Sequence, residues 1–299
     1  WSIVDAGTYA DGGDHGDLTD NGSGSYSVAI TPITASGKYT VEMKVKDIAG
    51  NERVYTYEFT VDDEAPVIEA VTPGDGDQLD ASGIGMVQLQ ITMTDPELND
   101  HSDGTGVNTS TFTWSIENAD ASYTASGNNT ELSGSGPSYS VAIPSINISG
   151  VYTVEMKVKD VAGNERVYTY SFMVDDEGPS VIPDAPAHES FGNADVTQLK
   201  ATVLDPELDD TSAGSGVDIT SLKWTLARVV PSGGYSQSGT NVQATYDAGT
   251  GELIIDITDL AGPDGWYQVT IEIADKAGNI TTLDEWRFLL DKTKPEKID

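Results

Sequence analysis

The chain has 299 residues and is strongly acidic, with 49 Asp and Glu against 15 Lys and Arg and a formal net charge of −34. This charge argues against nucleic acid as a partner, because phosphate binding needs a basic surface. The chain contains no Cys, which excludes disulfides and thiol catalysis. No apolar run approaches the roughly 18 residues of a membrane-spanning helix, so no membrane span is predicted in this segment.

A 29-residue pattern divides the chain into repeats. It occurs at residues 36–64 and 149–177 with 25 identical residues, and a diverged third copy runs from 265 to 291. Each copy alternates apolar and polar residues on both sides of an Asp-x-Ala-Gly-Asn turn, which predicts a β-hairpin with one buried face. The offsets between copies define a first repeat (1–65), a second repeat (66–178) and a third repeat (179–299).

The first repeat lacks a counterpart of the segment from about 66 to 95, which is predicted to form two strands in the second repeat. Two explanations are open: the segment was cut there by experiment or processing, or a partner supplies the two strands. The first explanation is preferred.

The second and third repeats are predicted to be antiparallel β-sandwiches of seven or nearly seven strands with almost no helix. In the second repeat, strands are predicted near 67–71, 87–93, 112–116 and 139–143, before the hairpin. Val87 is expected to face inward with Leu89, Ile91 and Met93. Trp114 and Trp224 occupy equivalent positions and are predicted to be buried.

Several motifs resemble those of the immunoglobulin-like (Ig-like) fold in the Cys-free form of bacterial and archaeal surface proteins. Trp114 and Trp224 lie where such sandwiches bury a Trp, and Gly150-Val-Tyr152 and Gly265-Trp-Tyr267 resemble its tyrosine corner. The hairpin turns, a Gly-x-Gly-Val-Asn/Asp motif and acidic joints followed by Pro add to the resemblance. It implies tandem Ig-like sandwiches joined by short acidic linkers, in an extracellular, cell-surface protein whose neighbouring repeats are partners. Many family members bind calcium near their joints.

Three acidic segments are expected to converge at each joint: the joint segment (62–64 or 175–177), the acidic loop (95–103 or 205–210) and the hairpin turn (160–164 or 275–279). The metal candidates at the first joint are Asp62, Asp63, Glu64, Asp95, Glu97, Asp100, Asp103, Asp160 and Asn164. Those at the second joint are Asp175, Asp176, Glu177, Asp205, Glu207, Asp209, Asp210, Asp275 and Asn279. After the third repeat, Asp291-Lys-Thr-Lys replaces Asp-Asp-Glu, and this change weakens the expectation of a metal site at that end.

Calcium is the expected cofactor, because it takes about six to eight oxygen ligands and so many clustered carboxylates would otherwise repel one another. The competing interpretation is ordinary chemistry of turns and solvated loops. For the Asp-x-Ala-Gly-Asn turn taken alone, that interpretation is the better one. Convergence of three segments at the same end of two repeats favours calcium.

An enzyme is not predicted. The three His residues share no repeat position, no phosphate-binding glycine loop is present, and the acidic groups recur in equivalent places, as structural ligands would. The predicted function is a calcium-stiffened stalk or spacer of a surface adhesin. One alternative is a module of a self-assembling surface layer or filament, which would assemble on adding calcium. Another is a carbohydrate-binding module, which needs exposed aromatics; Trp266 is the only clear outward candidate.

Overall fold

A computed structural model of the chain describes residues 1–7, 9–257 and 262–296. Regular structure in these ranges is β-strand, apart from four single-turn 3-10 segments: His15–Asp17, Ala81–Gly83, Asn129–Glu131 and Asn241–Gln243. The strands build mostly antiparallel sheets around three separate apolar cores. The predicted all-β class is confirmed. Within the described ranges, no helix is long and apolar enough to cross a membrane.

The first repeat contains six strands: β1 (Ser2–Asp5), β2 (Ala10–Gly12), β3 (Leu18–Asp20), β4 (Tyr26–Val28), β5 (Gly37–Lys46) and β6 (Glu52–Val61). Four of them form a sheet in the order β2-β1-β5-β6, and β3 pairs with β4 in a separate two-stranded sheet. Its core is small, with Ile3, Tyr39 and Val41 as the buried residues.

The second repeat contains nine strands: β7 (Val67–Thr72), β8 (Gln78–Leu79), β9 (Gln88–Thr94), β10 (Val107–Asn118), β11 (Thr124–Asn128), β12 (Leu132–Ser135), β13 (Ser138–Ala142), β14 (Gly150–Asp160) and β15 (Glu165–Val174). The sheet β12-β13-β9-β7 packs on the sheet β11-β10-β14-β15-β8. Alternation along β14 puts Tyr152, Val154 and Met156 into the core between them.

The third repeat has the same plan, with β16 (Ser180–Ala185), β17 (Ser190–Gly192), β18 (Gln198–Leu204), β19 (Val217–Val230), β20 (Ser232–Thr240), β21 (Ala244–Asp247), β22 (Glu252–Asp256), β23 (Gly265–Asp275) and β24 (Ile280–Leu290). Its sheets have the orders β16-β18-β22-β21 and β17-β24-β23-β19-β20.

Two sequence-based expectations need correction. The second and third repeats each have nine described strands rather than seven or nearly seven, because short segments such as β8, β11 and β12 also pair into the sheets. Thr124–Asn128 and Leu132–Ser135 are rich in Ser and Gly; they pair because they lie beside the open edges of β10 and β13. Val87 does not face inward: it precedes β9 and is 53% exposed, whereas Leu89, Ile91 and Met93 are buried.

The core markers are confirmed. Trp114 and Trp224 are 4% and 2% exposed. The tyrosine corners form as the resemblance implies, with the hydroxyl of Tyr152 donating to the carbonyl of Ile148 at 2.7 Å and that of Tyr267 to Pro263 at 2.8 Å. Trp266, the outward aromatic candidate, is half-buried beside Phe191 with the Arg287 guanidinium over its ring.

Replacing Trp114 with Ala should lower the free energy of unfolding of the second repeat by about 3–5 kcal/mol, because it removes a large buried side chain and leaves a cavity. Denaturant unfolding followed by a probe in the second repeat measures the change. Val161→Ala, at a residue 67% exposed, is the control and should have little effect. Equal stability of the two variants would contradict the assigned core.

Candidate metal centres at the joints between repeats

Two groups of three carboxylates form at the joints. In the first joint, oxygens of Asp62, Asp95 and Asp160 all lie within 4.8 Å of one another. In the second joint, Asp175, Asp205 and Asp275 are grouped in the same way. We call these groups the first and second carboxylate clusters.

Strand ends bring each cluster together. Asp62 follows β6 of the first repeat, while Asp95 follows β9 and Asp160 ends β14 of the second. Each cluster therefore takes one carboxylate from the chain leaving one repeat and two from the facing end of the next. Asp175, Asp205 and Asp275 hold the equivalent places after β15, after β18 and at the end of β23.

Backbone and hydroxyl donors orient the first cluster. Oδ2 of Asp62 accepts hydrogen bonds from the Thr105 amide at 2.8 Å and hydroxyl at 2.7 Å. Oδ2 of Asp95 accepts from the Gly106 amide at 2.6 Å. Oδ1 of Asp95 is buried, and no group in the described part of the chain donates to it.

The hairpin turn is fixed by Asp160 and Asn164. Oδ1 of Asp160 accepts from the amides of Gly163 and Asn164 at 2.5 and 2.8 Å. Gly163 has φ of 107°, a conformation that favours glycine. The side-chain amide of Asn164 then donates to Oδ2 of Asp160 at 2.7 Å and to the Asp62 carbonyl at 2.9 Å. Asn164 thus ties the turn to the joint segment.

The second cluster repeats these contacts. Asp175 and Asp205 each accept one backbone hydrogen bond through Oδ2, from Ser215 at 2.7 Å and Gly216 at 2.5 Å. Asn279 donates to Oδ2 of Asp275 and to the Asp175 carbonyl, both at 2.8 Å. Oδ1 of Asp205, like that of Asp95, is buried with no donor among the described residues.

Charge is poorly compensated in both clusters. Burial raises the pKa of Asp95, and repulsion from Asp62 and Asp160 adds to the effect. For Asp62, burial also raises the pKa, but the hydrogen bonds from Thr105 and from the Glu64 amide together outweigh it and the net pKa is lowered. In the second cluster, burial and the charges of Asp175 and Asp275 raise the pKa of Asp205 to about 6. Each cluster thus contains one carboxyl group that resists ionisation.

Seven metal candidates lie outside the clusters and are exposed. They are Asp63, Glu64, Glu97 and Asp103 at the first joint, and Asp176, Glu177 and Glu207 at the second. The joint segments are extended, so neighbouring side chains point in opposite directions. Asp63 therefore points away from the cluster that holds Asp62.

The remaining candidates, Asp100, Asp209 and Asp210, bind the backbone of the preceding repeat. At the first joint, Oδ2 of Asp100 accepts from the Lys38 amide at 2.9 Å, and the amide of Asn99 donates to Oγ of Ser36 at 3.1 Å. We call this contact between residues 99–100 and 36–38, with its counterpart at the second joint, the clasp. It was not foreseen from the sequence.

The second clasp is more buried. Oδ2 of Asp210 accepts from the amides of Val151 at 2.8 Å and Ala119 at 3.2 Å. Asp209 and Ser149 exchange two hydrogen bonds, at 3.0 and 3.1 Å. Burial raises the pKa of Asp210, but its bonds from Ser212 and Val151 outweigh this and the net pKa is lowered. Asp210 therefore stays ionised and accepts hydrogen bonds from the preceding repeat.

Glycine permits the close approach. A Cβ at Gly150 would lie 2.5 Å from Oδ2 of Asp210, whereas a Cβ at Gly37 would lie 3.2 Å from Cγ of Asp100. The Ser-Gly pair that opens β5 and β14 was therefore the available sequence signal for the clasp.

Gly150→Ala should open the second clasp while both repeats remain folded, because the methyl group would displace Asp210. Orphaning the Val151 amide should cost about 1–3 kcal/mol of joint stability. The chain has no native Cys, so spin labels can be placed on introduced cysteines, one in each repeat, and the distance distribution across the joint should broaden. Gly37→Ala is the milder comparison, and it should broaden the distance distribution across the first joint less than Gly150→Ala broadens that across the second. An unchanged distribution for Gly150→Ala would contradict the clasp.

In chelator, the third repeat should become more stable as the pH falls from about 7 to about 5. The folded pKa of Asp205, about 6, lies above its unfolded value of roughly 3.9, so the folded state binds the proton more tightly in that interval. Asp205→Asn should remove this dependence of stability on pH and raise Tm at pH 7 by on the order of 5 °C. Thermal unfolding of both proteins across the pH range tests this prediction. The same change of Tm with pH in both proteins would contradict it.

Comparison with known families gives matches along the chain. A model of the bacterial Ig-like domain matches residues 3–63, and a second model with the same description matches residues 79–176 and 192–292. A search of curated proteins finds no match.

Solved structures of tandem modules are similar at low identity. A tetra-tandem repeat in the extending region of a large adhesion protein has 20% identity and a TM-score of 0.38, covering 98% of this chain and 66% of that chain. Domains from titin have 14% identity and a TM-score of 0.41, covering 93% of this chain and 83% of theirs. Fibronectin(III)-like modules of Clostridium thermocellum CbhA have 14% identity and a TM-score of 0.30, covering 78% of this chain and 100% of theirs.

Members of Ig-like domain families are typically structural modules without catalysis, and the second family model alone covers about two thirds of this chain. The chain therefore belongs to the bacterial Ig-like domain family, as a tandem array.

Proposed function

We propose that this segment is a calcium-stiffened stalk or spacer of an extracellular surface adhesin. The observation that carries the proposal is the repetition of one carboxylate cluster at both joints, each built from the two sides of a joint. Tandem bacterial Ig-like domains support a surface structural or adhesion-type role. The calcium and the stiffening are the proposed part.

The donor chemistry fits a hard cation. Each cluster offers carboxylate oxygens, which are ligands that calcium prefers. The chain has no Cys, and no His belongs to either cluster in the described residues, so the softer ligand sets of zinc and copper are missing there. The buried Oδ1 atoms of Asp95 and Asp205, which accept no hydrogen bond from any described residue, are the acceptors that a cation would satisfy.

Charge neutralisation would change the mechanics of the joint. Without a cation, Asp62 on one side repels Asp95 and Asp160 on the other, and this repulsion favours separation of the repeats. With a divalent cation, the same three groups are drawn to one point. The clasp provides neutral and charge-assisted hydrogen bonds between the same repeats and so favours one relative orientation of them. Calcium would restrict the two repeats to a smaller range around that orientation.

Adding calcium to chelated protein should raise Tm, because the ion binds the folded state. It should also lengthen the particle in small-angle X-ray scattering and leave it monomeric, as a stalk requires. If calcium changes neither the maximum dimension nor Tm, the stiffened-stalk proposal is wrong. Assembly into larger particles would instead favour the surface-layer or filament alternative.

Asp95→Asn and Asp63→Asn form a matched pair at the first joint. Both remove one negative charge, but Asp95 lies in the cluster and Asp63 is exposed outside it. Calorimetry should show one of two calcium sites weakened at least about tenfold by Asp95→Asn, which corresponds to about 1.4 kcal/mol. Asp63→Asn should leave the calcium affinity of both sites within about twofold of the unmodified chain. Equal effects of the two changes would mean that general surface charge, not the cluster, attracts the ion.

A further inference from the structure

One side of the first repeat is an open apolar groove. It has a volume of about 770 Å³ and lies between the small sheet, which contributes Leu18, Tyr26 and Val28, and the large sheet, which contributes Met43, Val45 and Tyr55. Met43 and Val45 are 43% and 66% exposed. A contiguous exposed patch of this kind marks an interaction surface more often than chance exposure does.

The second repeat reveals what covers such a face. Met156 and Val158, the counterparts of Met43 and Val45, are 0% and 1% exposed, although the hairpin sequences are nearly identical. The hairpin register is also the same, since Met43 pairs with Tyr55 as Met156 pairs with Tyr168. The difference is the sheet above them. In the second repeat, β7 and β9 supply Ile68, Leu89, Ile91 and Met93 to the same core.

The small sheet of the first repeat has a matching free edge. In the second repeat β13 pairs with β12 on one side and with β9 on the other. Its counterpart β4 pairs only with β3 among the described strands. The unpaired backbone edge of β4 is a template for an added strand.

We propose that this groove and the β4 edge are together a docking surface for one occupant, a two-stranded segment with the apolar alternation of residues 66–95. Its inner strand adds antiparallel to β4. From the pairs Tyr139–Ile91 and Val141–Leu89, the positions equivalent to Ile91 and Leu89 face Tyr26 and Val28. The inference does not depend on the proposed calcium sites.

The test adds a fluorescent peptide of residues 66–95 to the full chain. We expect saturable one-to-one binding, at least about tenfold tighter than that of the peptide carrying Leu89→Asp and Ile91→Asp. In the chain, Val45→Asp should weaken binding to the same extent. Ile48→Asp, at a fully exposed position of the first hairpin turn, should not.

Hydrogen exchange in the unmodified chain gives an independent readout that needs no variant to fold. Peptide binding should slow exchange of the amides in β4 and leave those of β13 unchanged. The proposal is overturned if the two peptides bind equally, if protection appears in β13 instead, or if a second copy of the chain occupies the face. The last outcome would appear in sedimentation as a dimer that Val45→Asp dissociates.

Discussion

Repulsion among three carboxylates held within 4.8 Å is the constraint on which each joint depends. Hydrogen-bond donors reach both oxygens of Asp62 and Asp160, whereas in the described part of the chain they reach only Oδ2 of Asp95 and of Asp205. Burial, and then repulsion from the other two carboxylates, raises the pKa of both residues. A proton can neutralise the charge of one carboxyl group, whereas a divalent cation would reduce the repulsion among all three and join the two repeats.

The clasp and the cluster contribute to a joint in different ways. In the clasp, Asp100 and Asp210 accept hydrogen bonds from amides that the end of the preceding repeat presents, and it therefore needs no ion. In the cluster, acids from both sides face each other, and the hydrogen bonds from Thr105 and Asn164 to Asp62 act against their repulsion. The hairpin turn itself is independent of either contact. Asp47 and Asn51 of the first repeat form the same turn bonds, at 2.7 and 2.8 Å, outside both clusters.

Sequence alone predicted those features that local periodicity determines. The hairpins and the buried Trp114 and Trp224 follow from alternation and repeat spacing, and the tyrosine corners follow from the resemblance to Ig-like repeats. Strands β11 and β12 were missed because their pairing comes from neighbouring edges. A readable signal did lie between them: Asn128 and Glu131 form a capping box, with bonds of 2.9 and 2.8 Å, as the Asn-x-x-Glu spacing allows. The site was predicted too broadly, because spacing cannot tell whether Asp63 or Asp62 faces inward, nor that Asp210 meets an amide 59 residues away.

The central claim is that one cation joins the two sides of each joint. Anomalous X-ray diffraction from crystals grown with calcium tests it most directly. The account predicts one anomalous peak in each joint, about 2.3–2.6 Å from oxygens of Asp62, Asp95 and Asp160 in the first and of Asp175, Asp205 and Asp275 in the second. Well-ordered joints without a peak in either cluster would contradict it.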